Sequence, residues 1–220
     1  MDIKYFKDKR RTIKIEVTTK GEVRVLYPMD CSVEVVKNFV AKKQKWIETK
    51  VNQATGNFVA NKEQFELKCI LLLGKRVKID FCDVKKSFLT ENILFLPIKA
   101  QNNEEELKKL IKQFVTKFAN ELLPQAVACF AERVGKCPTK IAISHPKSIW
   151  GSCNAKKEIR LNAKLVMLPK ELMEYVIVHE LCHMVEMNHS EKFWAKVSEF
   201  CDVKKCRKSL KDYNYLINLF

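Results

Sequence analysis

The chain has 220 residues, of which 47% are apolar and 30% charged, enough for one large domain or two small ones around a real core. Forty-one Lys and Arg against 26 Asp and Glu give a net charge of +15. Such a field attracts nucleic acid, nucleotides or other anions, although the lysines are spread along the chain and serve solubility equally well. The composition speaks against a membrane-spanning or secreted disulfide-rich protein. The longest apolar run, "CILLLG", is too short for a bilayer, and the start "MDIKYFKDKRRTIKIEV" lacks an apolar signal region. The nine cysteines are odd in number and form no Cys-x-x-Cys, so a reduced cytoplasmic protein that does not engage a membrane is expected.

The first thirty residues alternate like strands, with "TIKIEVTT" and "EVRVLYP" joined in a hairpin at Lys20-Gly21. Ser32 then caps a helix over "VEVVKNFVAKKQKWIETKV", with apolar residues at Val33, Val36, Phe39, Val40 and Ile47. "QATGN" reads as a loop. "FELKCILLLGKRVKIDF" reads as a hairpin turning at Gly74, and "FLTENILFLPI" as another turning at Thr90-Glu91-Asn92.

From Asn103 the period changes to helical. Leu107, Leu110, Ile111, Phe114 and Phe118 share a stripe, Pro124 should kink or break the helix, and Gly135 ends it. "TKIAISH" and "KEIRLNAKLVML" read as strands joined by a loop holding "PKSIWGSCN". Pro169 opens an apolar helix, "KELMEYVIVHELCHMVE", and two shorter helical patterns, "SEKFWAKVSEF" and "CRKSLKDYNYLINLF", close the chain. Strands come first and helices later, so the class is α+β, with a β-rich part over 1–100 and a helical part over 101–220.

Three of the four histidines fall at 179, 183 and 189, with Glu180 after the first. Residues four apart on a helix lie about 40° from each other around the axis, so His179 and His183 project to one side and can share a metal ion. Glu180 stands about 100° away, where it flanks the ion and can act on a water there. The H-E-x-x-H spacing therefore supplies two ligands and one base, with zinc the metal that neutral imidazoles suit best.

A catalytic tetrahedral site needs a third ligand. His189 reaches it only if the helix breaks. Asn188 is placed to adopt a left-handed helix end, and Ser190 to cap the next helix. Glu191 and Glu199 are the alternatives to His189. Cys182 reads as a packing residue rather than a fourth ligand. Cys201 and Cys206 are too few for a structural zinc site.

The blocks "YVIVHELCHMVEMNHSEKFW" and "WGSCNAKKEIRLNAKLVMLP" together resemble the YgjP-like zinc metallopeptidases, a family related to the SprT and WLM proteases. The resemblance covers nearly the whole chain as one continuous unit. It implies a zincin (gluzincin-like) fold with an active H-E-x-x-H helix, one Zn2+ on His179, His183 and His189, and Glu180 as catalytic base. It also implies that "SIWGSC" and "EIRLN" wall the cleft. In those walls Trp150, Gly151 and Ser152 are candidates to line the cleft or support it, with Trp150 equally readable as a tryptophan buried between strands, and Asn162 is a candidate either to support the cleft by hydrogen bonds or to turn the chain at a strand end. His145 is a candidate to stabilise an oxyanion or an ordinary loop residue. Phe193 and Trp194 are expected to pack the helix after His189 onto the active helix. One position departs: the family usually has Arg where this chain has Ile149, and Lys147 lacks a bidentate fork.

The expected chemistry is metal-assisted hydrolysis of a peptide or unfolded protein. Two alternatives stand beside it. One is pyrophosphatase action on uridine triphosphate at the same site, an activity also attached to the family. The other is a basic nucleic-acid-associated protein with structural zinc. Against the first, none of the glycines at 21, 56, 74, 135 and 151 forms a phosphate-cradling loop.

Overall fold

The computed structural model describes residues 2–18, 20–66 and 68–220, with side chains outside 57–66. It is a mixed α+β structure that divides into two compact units, Met1–Glu63 and Gln64–Phe220.

The first unit carries β1 (Ile3–Asp8), β2 (Lys14–Val17) and β3 (Val23–Pro28) in the order β1-β3-β2. The β2–β3 hairpin is antiparallel, as its alternation requires, and Gly21 supplies a left-handed φ of 84° in its connection. β1 adds in parallel on the other edge of β3. Val23 and Val25 point inward and meet Val36, Val40 and Ile47.

Ser32 caps α1 (Val33–Lys42) by accepting from Val35 N at 3.4 Å. The single helix expected here is divided at Lys43, and α2 (Gln44–Glu66) runs straight through the loop expected at "QATGN". An exposed Gly56 costs a helix only about 1 kcal/mol, and nothing lies within 4 Å of where its side chain would stand, so the helix continues.

The second unit opens with β4 (Cys69–Leu72), β5 (Lys75–Cys82), β6 (Phe88–Thr90) and β7 (Ile93–Pro97), ordered β4-β5-β7-β6. Both expected hairpins form. The first turns on Leu73 and Gly74, both with positive φ (48° and 77°), the pair of conformations that matches strand twist. Its tip docks by backbone bonds from Leu73 N to Val166 O (2.8 Å) and from Gly74 N to Met167 O (3.3 Å).

α3 (Glu104–Val134) is capped by Asn103 at one end and by Gly135, with φ 76°, at the other. Pro124 does not end it: the helix is continuous, because Leu123 and Val127 on either side are buried in the core and that packing outweighs the missing donor.

β8 (Lys140–Ser144), β9 (Gly151–Cys153) and β10 (Glu158–Asn162) form the sheet β8-β10-β9. Two expectations are corrected here. The "PKSIWGSCN" loop contains a strand, β9, antiparallel to β10. The second half of "KEIRLNAKLVML" is a 3-10 turn, Ala163–Met167, because Asn162 turns the chain by accepting from Lys164 N through its own side chain.

α4 (Lys170–Cys182) is buried on nearly every side, which accounts for its apolar sequence. α5 (Glu191–Ser198) and α6 (Val203–Asp212) follow, and the last expected helix gives way after Asp212 to a 3-10 turn, Asn214–Asn218. Strands β4, β5, β7 and β10 and helices α3 to α6 contribute to one core cluster. Among the described residues no helix is long and apolar enough to cross a membrane.

Candidate metal centre

α4 delivers His179 and His183 one turn apart, with Glu180 buried between them and the core. The helix ends at Cys182, and His183 is its cap with ordinary right-handed backbone. The break therefore comes earlier than the expected one at Asn188, which does not adopt a left-handed conformation. Met184 N and Val185 N bond Leu181 O and Cys182 O, each at 3.0 Å, three-residue bonds that tighten the last turn and end the helix. Ser190 then caps α5, accepting from Phe193 N at 3.3 Å. His189 sits in the short segment between these two events.

The turn brings the three imidazoles together. One ring nitrogen from each of His179, His183 and His189 lies within 4.8 Å of the others, and Nε2 of His179 is 3.1 Å from Nε2 of His189. Aromatic rings hold them in place. Phe193 stacks on His183 at 4.4 Å, Trp194 stacks on His189 at 5.2 Å, and Tyr175 meets His179 edge-on at 6.0 Å. The Arg207 guanidinium in turn covers Trp194 at 4.9 Å. Phe193 and Trp194 thus support the rings themselves, beyond the helix-on-helix packing expected of them.

The electrostatics favour neutral imidazoles. Burial pushes His179 down to about 4, helped by the other two histidines and Arg207, and burial also lowers His183. His183 Nδ1 lies 3.2 Å from the Glu186 carbonyl oxygen. A carbonyl only accepts, so Nδ1 carries the proton and Nε2 keeps its lone pair. Burial also raises Glu180 to about 7.

Glu180 is backed by β9. A Cβ at Gly151 would stand 2.8 Å from Glu180 Cγ and Oε1, so only glycine lets the strand approach this closely. Cys153, two residues on and on the same face of the strand, is close enough to Glu180 for that carboxylate to raise its pKa, after burial, the larger cause. It was overlooked in the sequence, although period-two alternation from Gly151 marks it. Arg207, on α6, was also missed because it belongs to no motif and comes from another helix; Tyr175 was missed too, although its place four residues before His179 on α4 marks it.

The remaining candidates support the strand rather than meet the rings. Asn162, fully buried, donates from Nδ2 to Pro146 O (3.1 Å) and Ile149 O (3.0 Å), and its backbone N bonds Trp150 O at 2.9 Å. Trp150 is buried, and its indole N–H reaches Asn214 Oδ1 at 3.2 Å. Ser152 of β9 is in register with Arg160 of β10, and its side chain lies on the face away from that of Gly151. His145 lies 2.8 Å from Thr116 Oγ1 and edge-on to Phe220, contacts that join it to α3 and the end of the sequence.

Of the alternative third ligands, Glu191 is exposed in the first turn of α5 and Glu199 pairs with Lys196 at 2.8 Å. Cys182 is fully buried, and neither Cys201 nor Cys206 belongs to a metal-ligating group among the described residues.

The sequence matches the model of the YgjP-like metallopeptidase domain over residues 11–213. The chain belongs to the YgjP-like metallopeptidase family. That membership makes it a metallopeptidase-like hydrolase and implies a metal. The crystal structure of a metallopeptidase zymogen, Pyrococcus abyssi abylysin, aligns with 40% of this YgjP-like chain and 87% of its own length. Their identity is 21% and the TM-score 0.36, too loose a superposition to carry weight. No curated protein matches the chain.

The residues fit the implied ion. Zinc–imidazole bonds of about 2.0–2.1 Å in a tetrahedron set neighbouring nitrogens about 3.3 Å apart, close to the separation of His179 and His189 Nε2. Burial favours the neutral rings of His179 and His183, and the tautomer of His183 is fixed by a backbone carbonyl, as ligating histidines commonly are.

Proposed function

We propose that the chain is a zinc-dependent peptidase of the zincin (gluzincin-like) kind, in which His179, His183 and His189 hold one zinc ion and Glu180 is the catalytic base. The observation that carries this is the convergence of three imidazoles beside a buried carboxylate that follows the first of them in sequence.

A zinc ion held by His179, His183 and His189 would lower the pKa of a bound water toward about 7 and polarise the carbonyl under attack. The protein supplies the rest. Glu180, raised to about 7, is divided between its two forms near neutral pH, so its carboxylate can take a proton and return it to a leaving amine. Phe193, Trp194 and Tyr175 keep the three rings convergent without hydrogen-bonding to the reaction. Gly151 lets β9 press against Glu180 and fixes where its carboxylate stands.

β9 pairs on one side with β10 and, among the described residues, with no strand on the other. An extended peptide can add along that free edge, held by main-chain hydrogen bonds with little demand on sequence. Trp150 and Asn162 hold the strand in position for it, and Ser152 faces away from the base. The oxyanion role considered for His145 has no support in its contacts with Thr116 and Phe220.

The test is cleavage of an unfolded protein by the zinc-loaded chain. Cleavage should stop with a chelator and in Glu180→Gln, with zinc still bound in that variant. Release of pyrophosphate and the monophosphate from uridine triphosphate without peptide cleavage would point to the pyrophosphatase instead. DNA affinity that falls steeply with salt and survives Glu180→Gln would point to a nucleic-acid-associated protein.

A further inference from the structure

We propose that Ile149, Val185 and Met187 form an apolar rim that selects polypeptide segments presenting a large apolar side chain, so that the substrate class is unfolded rather than folded protein. The proposal rests on the peptidase reading of the same site.

Among the described residues of the unit Gln64–Phe220, six large apolar side chains are exposed: Phe88, Leu89, Ile98, Ile149, Val185 and Met187. Scattered singly, such residues need no explanation. Three of these six are not scattered. Ile149 lies two residues before Gly151, which touches Glu180. Val185 lies two residues after His183, and Met187 two before His189. Two residues of chain reach at most about 7 Å, so each apolar group is confined to the surroundings of the base or the imidazoles. Their exposures are 43%, 51% and 50%.

All three backbones are fixed near the site. Asn162 Nδ2 holds the carbonyl of Ile149 at 3.0 Å. His183 Nδ1 holds the carbonyl of Glu186, between Val185 and Met187, at 3.2 Å. Val185 N is bonded to Cys182 O at 3.0 Å. The rim is therefore built on anchored segments.

The chain's charge of +15 would suit an acidic partner, but the exposed side chains that flank the ligands and the base are the three apolar ones together with the uncharged Ser148 and Asn188. On the β9 side the exposed cation Lys147 stands two residues further from Gly151 than Ile149 does. A segment that pairs along the β9 edge projects alternate side chains toward the same face, so one large apolar side chain can cover the rim while the backbone stays in register. Folded proteins keep large apolar side chains buried, whereas unfolded ones present them on extended chain. Edge pairing alone would accept any extended segment. The rim adds the discrimination.

The experiment has a binding arm and a cleavage arm. Fluorescent ten-residue peptides, identical except for Leu or Ser at one scanned position, are titrated against the zinc-loaded Glu180→Gln chain. At the position that meets the rim, Leu should bind roughly tenfold or more tighter than Ser. The triple substitution Ile149→Ser, Val185→Ser, Met187→Ser in the same background should bring the two peptides within about twofold, at unchanged zinc content and melting temperature.

In the cleavage arm, the ratio of kcat/KM for the two peptides should collapse in the same way when the triple substitution is made in the active chain. If the triple variant keeps the Leu preference, or if the parent shows none at any position, the proposal is overturned. If the Glu180→Gln chain binds with the stated preference while the active chain cleaves neither peptide, the rim stands and the peptidase reading fails.

Discussion

Gly151→Ala puts the relation between β9 and the base to the most direct test. The new Cβ would lie 2.8 Å from Glu180 Cγ, 2.8 Å from Oε1 and 3.0 Å from Cδ. Carbon pairs rest at about 3.5–4.0 Å, so the overlap is at least about 0.7 Å. Gly151 does not occupy the left-handed region, so alanine suffers no backbone strain and the collision is the whole cost.

β9 cannot retreat easily. Gly151 is in register with Leu161, and Trp150 O is bonded to Asn162 N at 2.9 Å. The Glu180 side chain must move instead. Overpacking of this kind costs about 1–3 kcal/mol. In a unit of this size that lowers the melting temperature by about 2–4 °C per kcal/mol. A carboxylate displaced by about 1 Å costs roughly a hundredfold in kcat.

Glu180→Asp shortens the side chain and makes room, so the double variant should regain part of the lost stability, with a coupling of about 0.5–3 kcal/mol. Thermal melts, zinc content and kcat on an unfolded substrate are measured for both single variants and the double. Zinc content should stay at the parent level throughout. A Gly151→Ala chain with parental kcat and melting temperature would refute the reasoning.

Ser190→Ala removes the cap of α5 and should cost about 1 kcal/mol, with a modest loss of zinc affinity because Phe193 and Trp194 support two of the rings; isothermal titration and melts check it. Asn162→Ala removes the donor shared by the carbonyls of Pro146 and Ile149 and should destabilise by roughly 0.5–1.5 kcal/mol for each bond lost, seen by urea unfolding. Lys164, buried with its Nζ on the carbonyls of Ile217 (2.7 Å) and Phe220 (3.1 Å), is lowered from 10.5 to about 8, chiefly by burial. Between about pH 8 and 10.5 the unfolded chain holds this proton more tightly than the folded one, so the burial penalty, full below pH 8, fades as pH rises. Urea unfolding from pH 8 to 10 should therefore show the parent gaining stability relative to Lys164→Met; a constant difference would contradict this.

The legible parts of the molecule were those governed by local rules. Ser32, Asn103, Gly135 and Ser190 stand where capping chemistry puts them, and the hairpin at Gly74 follows from its turn residue. The three histidines could be brought together on paper because a helical period and one break suffice. The failures came where tertiary packing overrode a local signal. Pro124 and Gly56 read as interruptions, yet one is carried through by buried neighbours and the other by a helix that tolerates a single glycine. β9 is three residues long and carries no alternation of its own; it exists because β10 offers it an edge. Arg207 covers Trp194 from another helix, a relation that no spacing in the sequence encodes, whereas Tyr175 stands four residues before His179, at the spacing that also pairs His179 with His183.

Metal content tests the central claim most directly. The purified chain, equilibrated with zinc and freed of excess, is analysed beside Glu180→Gln and His189→Ala. The account predicts one zinc per chain in the parent and in Glu180→Gln, and a large loss in His189→Ala. A parent chain that retains no zinc, or a His189→Ala chain that retains it with parental affinity, would contradict it.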